Sequence, residues 1–206
     1  MSKSKRSQFI NLAAMRKTVS IKPLAFGAAT LMLGACSSQN EEASIYIDAN
    51  DCSNTNPNFN ALCETTYQQA LEEAEDTGPK YNTLNDCEYD FGANQCAEEE
   101  GFFGNYYMPL MAGYMVGNML GGSKRYTPMY TSKSRFSPLK GRWFTADGMD
   151  VGDYDVDFKK KKKYKVKRGF FAKRPTTTST IRRGGFGNIA RATASRTRSS
   201  SKGWGG

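Results

Sequence analysis

Tyr46-Ile47-Asp48-Ala49-Asn50-Asp51-Cys52 returns later in the chain as Tyr81-Asn82-Thr83-Leu84-Asn85-Asp86-Cys87, a Y-x-x-x-N-D-C echo. Cys63 follows the first copy and Cys96 the second. Four cysteines allow three pairings. The echo favours Cys52–Cys63 and Cys87–Cys96, each a staple inside its own copy. The paired C-x(2–4)-C spacing of zinc sites is absent and the chain has no histidine, so a zinc role is set aside. No Cys-x-x-Cys pair suggests thiol exchange. Around the cysteines the pattern is helical. Asn56-Pro57 reads as a helix start. Phe59, Leu62, Cys63, Tyr67, Ala70, Leu71 and Ala74 then recur at helical spacing until Gly78-Pro79. A shorter helix is expected after Thr83, stopping near Gly92, with Leu84, Cys87 and Phe91 on one side. Two such helices bury little apolar surface, and the module depends on its disulfides.

Charge divides the chain around this module. Residues 37–100 hold 15 acidic residues and one basic residue, Lys80, whereas residues 123–206 hold 22 Lys or Arg against five Asp. The formal +9 hides this asymmetry, which suggests separate partners for the two ends or attraction between them. The first 35 residues carry six bases, no acid and an apolar run from Leu24 to Ala35, the marks of a secretory signal. The run is too short to span a bilayer, which takes roughly 20 apolar residues. Leu33-Gly34-Ala35-Cys36 resembles the lipobox of bacterial lipoproteins. That resemblance implies a diacylglycerol and an acyl chain on Cys36, a stable multi-chain anchor. Ser37 in place of aspartate, by resemblance to sorted lipoproteins, implies the outer membrane, facing the periplasm.

Between the charged halves, residues 101–122 carry no charge. Gly113, Gly117 and Gly121 recur every fourth residue beside Met111, Met115 and Met119. On a helix these form a smooth stripe and an adaptable apolar stripe, suited to membrane or self-association. A spanning helix, an interfacial helix and a connector or helix packed on the acidic module are the competing readings. From Ser123 onward aliphatic residues are few and Gly, Ser, Thr, Lys and Arg are many, which predicts a largely disordered tail. Its basic residues Lys159, Lys160, Lys161, Lys162, Lys163, Lys165, Lys167, Arg168, Arg182 and Arg183 are the candidates for a polyanion surface. In an exported protein the polyanion is a lipid headgroup, lipopolysaccharide or peptidoglycan. In a protein that stays inside, it is single-stranded nucleic acid.

The assembled motifs resemble the uncharacterised YgiB-like lipoproteins of Gram-negative bacteria. The elements are the leader ending at Cys36, Asp51-Cys52 with Cys63, Pro79-Lys80-Tyr81, and Cys87 with Phe91-Gly92 and Cys96. Met108-Pro109-Leu110-Met111-Ala112-Gly113-Tyr114-Met115 and Arg183-Gly184-Gly185-Phe186-Gly187 complete the series. The resemblance implies no activity and no catalytic residues. The expected fold is a small α-helical disulfide-stapled module with a Gly/Met-rich segment and a long, largely disordered basic tail. Its divisions are a signal peptide (1–35), a lipidated tether (36–43), the acidic helical module (44–100), the Gly/Met-rich segment (101–122) and the tail (123–206). Absent histidine, Walker loop and nucleophile–base pairing argue against an enzyme, and no cofactor motif is present. The expected role is a non-enzymatic envelope lipoprotein with an unknown protein partner, an anionic envelope polymer on its tail, or a membrane-active oligomer built on the glycines.

Overall fold

A computed structural model describes residues 40–101, 104–118, 125–154 and 163–200, with the backbone alone for Arg168 and residues 197–200. Cys36, the leader, Met119, Gly121 and Lys159 to Lys162 lie outside the described residues.

The echo marks a repeated strand-to-helix corner. Tyr46 ends strand β1 (Asn40–Tyr46) and Tyr81 ends β2 (Lys80–Tyr81). Asp48 then caps helix α1 (Ala49–Thr55), accepting the Asp51 N–H at 2.8 Å, and Thr83 caps α3 (Leu84–Phe91), accepting the Asp86 N–H at 3.2 Å. The next residue in each copy is the cysteine, turned fully inward. Cys52 is joined to Cys63 and Cys87 to Cys96. Cys63 lies on α2 (Asn60–Thr77), which follows a 3-10 turn at Pro57–Phe59, and Cys96 opens β3 (Cys96–Glu99).

The chain is nevertheless not a small helical module with a disordered tail. Among the described residues it is mixed α/β, with ten strands in three sheets and four helices. The Gly/Met-rich segment forms β4 (Tyr106–Pro109) and β5 (Gly113–Val116). The basic half supplies β6 (Tyr126–Met129), β7 (Arg142–Phe144), β8 (Asp150–Asp153), β9 (Lys163–Lys167), β10 (Thr180–Ile181) and α4 (Gly185–Ser200). One sheet runs β6-β5-β1-β9, a second β10-β2-β4-β3, and β7 pairs with β8. A bridge between Tyr130 and Phe144 links the first sheet to the β7–β8 pair. In the first sheet β1 lies between β5 and β9, antiparallel to both, so Asn40 to Ser44 of the acidic half are paired with the basic Lys163–Lys167.

Both faces of that sheet are covered. Ala43, Ile45, Met115 and Met129 point into one core with Trp143, Tyr164, Val166, Phe170 and Phe171. Tyr46, Tyr114, Val116 and Tyr126 alternate to the other face, against Cys52, Cys63 and Ala70 of the helices. A strand buried on both faces reads as a continuous uncharged run. That is why residues 113–116 lack the polar alternation of an exposed strand. A recurrence of four is also a multiple of two, so Gly113 and Gly117 fall on one strand face as readily as on one helix face. There they admit close neighbours. A Cβ at Gly113 would stand 2.6 Å from the Tyr46 carbonyl oxygen, and one at Gly117 2.9 Å from the Phe171 ring.

A third core ties the tail to the cysteine module. Phe186 is buried, its ring 5.1 Å from Phe91 and 5.2 Å from Phe144. Beside it the buried Asp90 carboxylate accepts the Tyr81 hydroxyl at 2.8 Å, the Gly184 N–H at 2.9 Å and the Phe186 N–H at 3.3 Å. The last two donors belong to the turn that opens α4. Burial raises the Asp90 carboxyl above the usual carboxylate range against the pull of these three donors. The Tyr81 hydroxyl is driven far up by burial and by Asp90. The few aliphatics of the basic half misled the disorder expectation, because its aromatics do the packing. A buried ring removes roughly 150–250 Å² from water.

Candidate functional site: a basic groove along β9

Strand β9 reads Lys-Tyr-Lys-Val-Lys, and the pleat sorts it. Lys163, Lys165 and Lys167 are exposed, while Tyr164 and Val166 are buried in the core. Its only strand partner among the described residues is β1. Along its side runs a half-open groove of about 900 Å³. Met149 and Val151 of the β7–β8 region, Val166 of β9, Phe170 of the following 3-10 turn and Ile189 of α4 form its apolar walls. The three lysines, Arg196, Asp147 and Asp150 form the polar rim.

The two carboxylates of the rim are already matched. Asp147 accepts the Arg174 Nε–H at 2.8 Å and the Thr145 hydroxyl at 2.5 Å. Burial pushes its carboxyl up, but the Arg174 charge and these hydrogen bonds outweigh it and hold it below the usual range. Arg174 also donates to the Thr127 hydroxyl at 2.5 Å and lies over the Phe170 ring. Asp150 accepts from Arg142 at 2.6 Å. Of the lysines, Lys163 is paired with Glu42 across the β1–β9 ladder at 3.0 Å, which lowers the Glu42 carboxyl. Lys165 and Lys167 form no ion pair among the described residues. Lys165 stands opposite Glu42 in the ladder and adds to the lowering of that carboxyl.

The sequence candidates separate accordingly. Lys163, Lys165 and Lys167 stand together on the exposed face of β9, at the edge of the groove and on the side of Glu42. Arg168 starts the 3-10 turn beside it. Arg182 and Arg183 sit elsewhere, in the turn between β10 and α4, where Arg183 pairs with Asp86 at 3.3 Å and lies over the Tyr89 ring. Met111 and Met115 pack inside the protein, as do Gly113 and Gly117. Arg196, Ile189 and Phe170 were not singled out in the sequence. The Lys-Tyr-Lys-Val-Lys alternation was the available signal for β9, and the i, i+4, i+7 spacing of Ile189, Thr193 and Arg196 for α4. No three Cys, Asp or Glu side chains converge as a metal site among the described residues, and no described helix is long and apolar enough to cross a membrane.

Fold and groove together define a disulfide-stapled mixed α/β module with a basic, part-apolar groove. The chain belongs to the family described as protein of unknown function (DUF1190), whose model matches residues 40–197. That span runs from the first residue of β1 into α4, so the acidic and basic halves fall within one family unit. Similar proteins include a UPF0441 protein of Serratia proteamaculans, 38% identical over 95% of each chain. A UPF0441 protein of Pectobacterium carotovorum is 38% identical over 95% of this chain and 94% of its own. One of Klebsiella pneumoniae is 36% identical over 89% of this chain and 88% of its own. These Gram-negative relatives uphold the YgiB-like resemblance. No solved structure matches this chain.

Proposed function

We propose that this protein is an exported, lipid-anchored, non-enzymatic module of the cell envelope whose basic face engages an anionic envelope polymer. The observation that carries the reading is the pairing of two short-range disulfides with the row of exposed lysines along β9. Short-range disulfides, with Cys52, Cys63 and Cys87 fully buried and Cys96 partly so, fit a fold matured in an oxidising compartment. In that setting Cys36 is the lipid-bearing residue, and the outer membrane facing the periplasm is the expected place. The polyanions within reach are lipopolysaccharide and peptidoglycan, and Lys165 and Lys167 are the residues that meet them.

Labelling cells with a tagged fatty acid, with Cys36→Ser as control, tests the anchor. Label on the wild type and none on the variant supports it. An unlabelled protein in the cytosolic fraction would contradict it and favour nucleic acid as the polyanion. Pelleting with lipopolysaccharide or peptidoglycan tests the basic face. Binding should weaken with added salt and fall on Lys165→Gln/Lys167→Gln. Equal pelleting of wild type and variant would count against the polymer claim.

A further inference from the structure

All five residues of β9 line the groove, although their side chains alternate. Lys163, Lys165 and Lys167 point to the Glu42 face of the sheet, and Tyr164 and Val166 to the core face. A cavity above either face would meet only one of these rows. One that meets both runs along the edge of the strand. β1 occupies one edge, so the groove follows the other, where β9 has no strand neighbour among the described residues. Half of the backbone N–H and C=O groups of an edge strand point away from its one neighbour, and they are a template for another strand.

The paired side of β9 shows what the strand accepts. There an acidic strand lies against it: Lys165 stands opposite Glu42, and Lys163 donates to that carboxylate at 3.0 Å. Lysines on an edge turn away strands that bring no matching charge. They admit one that brings acids. On the other face Met149, Val151 and Phe170, which pack in the core of Tyr164 and Val166, wall the groove. Its volume of about 900 Å³ is of ligand-pocket size. Asp147 and Asp150 at the rim are matched by Arg174 and Arg142. A ligand confined to one face of the sheet meets the lysines or the hydrocarbon, never both. A strand presents alternate side chains to both faces. We propose that the outer edge of β9 takes up an extended peptide segment of a partner protein as a fifth strand of the β6-β5-β1-β9 sheet. Acidic residues of that segment face Lys163, Lys165 and Lys167, and the residues between them are apolar. About five residues pair, at roughly 3.3 Å each along β9. Unlike the polymer reading, this role needs a backbone edge as well as charge.

The test titrates the purified full chain with the end-blocked peptide Glu-Val-Glu-Val-Glu-Val-Glu, following binding by calorimetry. Saturable one-to-one binding is expected, with slowed hydrogen exchange at those β9 amides that face away from β1. A fully N-methylated copy keeps the charge but donates no backbone hydrogen bond, and it should bind about tenfold or more weakly. A peptide with serine in place of valine keeps charge and backbone and should bind several-fold more weakly, because it leaves the apolar walls unfilled. Lys165→Gln/Lys167→Gln should weaken the glutamate–valine peptide about fivefold while circular dichroism stays unchanged. Equal affinity for the N-methylated copy, or β9 amides that do not slow, would overturn the proposal. So would equal affinity for the serine peptide or in the lysine variant. The polymer reading is judged separately, by pelleting the same preparation with lipopolysaccharide or peptidoglycan. Pelleting without peptide uptake sinks only the strand, and peptide uptake without pelleting supports the strand and sinks only the polymer.

Discussion

The acidic and basic halves of the chain are held by different means. In the acidic half, α1 and α3 are capped locally, and disulfides that close short stretches of sequence staple α1 to α2 and α3 to β3. In the basic half nothing is stapled. Its strands and α4 hold their places through rings and buried polar contacts reaching back to the first half. Phe186 packs against Phe91, and the turn before α4 grips Asp90. The difference teaches that opposite net charge here marks two sides of one fold rather than two domains. The contacts that carry the basic half are buried rings and one carboxylate, while the exposed Lys163–Glu42 pair contributes little.

Perturbing each half by its own means sharpens this contrast. The largest expected effect is in the basic half. Phe186→Ala should cost about 3–5 kcal/mol in urea unfolding, because it empties the centre of the third core. Opening the Cys52–Cys63 loop with paired serines should cost about 3 kcal/mol, the entropy returned to the unfolded chain by a loop of that size. Asp90→Ala should cost about 2 kcal/mol by stranding the Tyr81 hydroxyl and the two N–H groups that open α4. The chemical shifts that move should include those of α4, on the far side of the contact.

Acid separates two carboxylates of opposite sign. The Asp147 carboxyl is held low in the folded protein, so its stabilisation is full above the unfolded value, about 3.9, and is lost as pH falls through the folded value. Arg174→Gln should flatten that acid limb in unfolding curves recorded from pH 6 to 2. The Asp90 carboxyl is held high, so protonation of that group on acidification relieves the folded state instead. Asp90→Asn should therefore lose less stability at neutral pH than Asp90→Ala. The smallest effect belongs to the exposed Lys163–Glu42 pair. Lys163→Gln should leave the thermal midpoint unchanged within error.

The parts of the fold written in local sequence were legible. The helix start after Thr83, Gly78-Pro79 as a stop and the echo that pairs the cysteines are all short-range signals, whereas Asp48 as the cap of α1 went unread and Asn56-Pro57 opens only a 3-10 turn ahead of α2. The sheets were not, because their information is relational. Gly113-Tyr114-Met115-Val116 shows no alternation, being buried on both faces. Residues 40–43 look like a tether until Lys163–Lys167 is set beside them. The basic half was misjudged because counting aliphatics overlooks Tyr130, Trp143, Phe144 and Phe186. Of the candidate groove, the charge of Lys163, Lys165 and Lys167 was visible. Its apolar walls come from three separate stretches and become neighbours only on folding.

Native-state hydrogen exchange on the full chain tests the single-fold account most directly. The account predicts that amides of β9 and the first turns of α4 are protected to a free energy similar to those of β5 and α2, and lose that protection together in Phe186→Ala. Amides of β9 and α4 exchanging at unfolded-chain rates, while α2 stays protected, would contradict it and return the basic half to a tail.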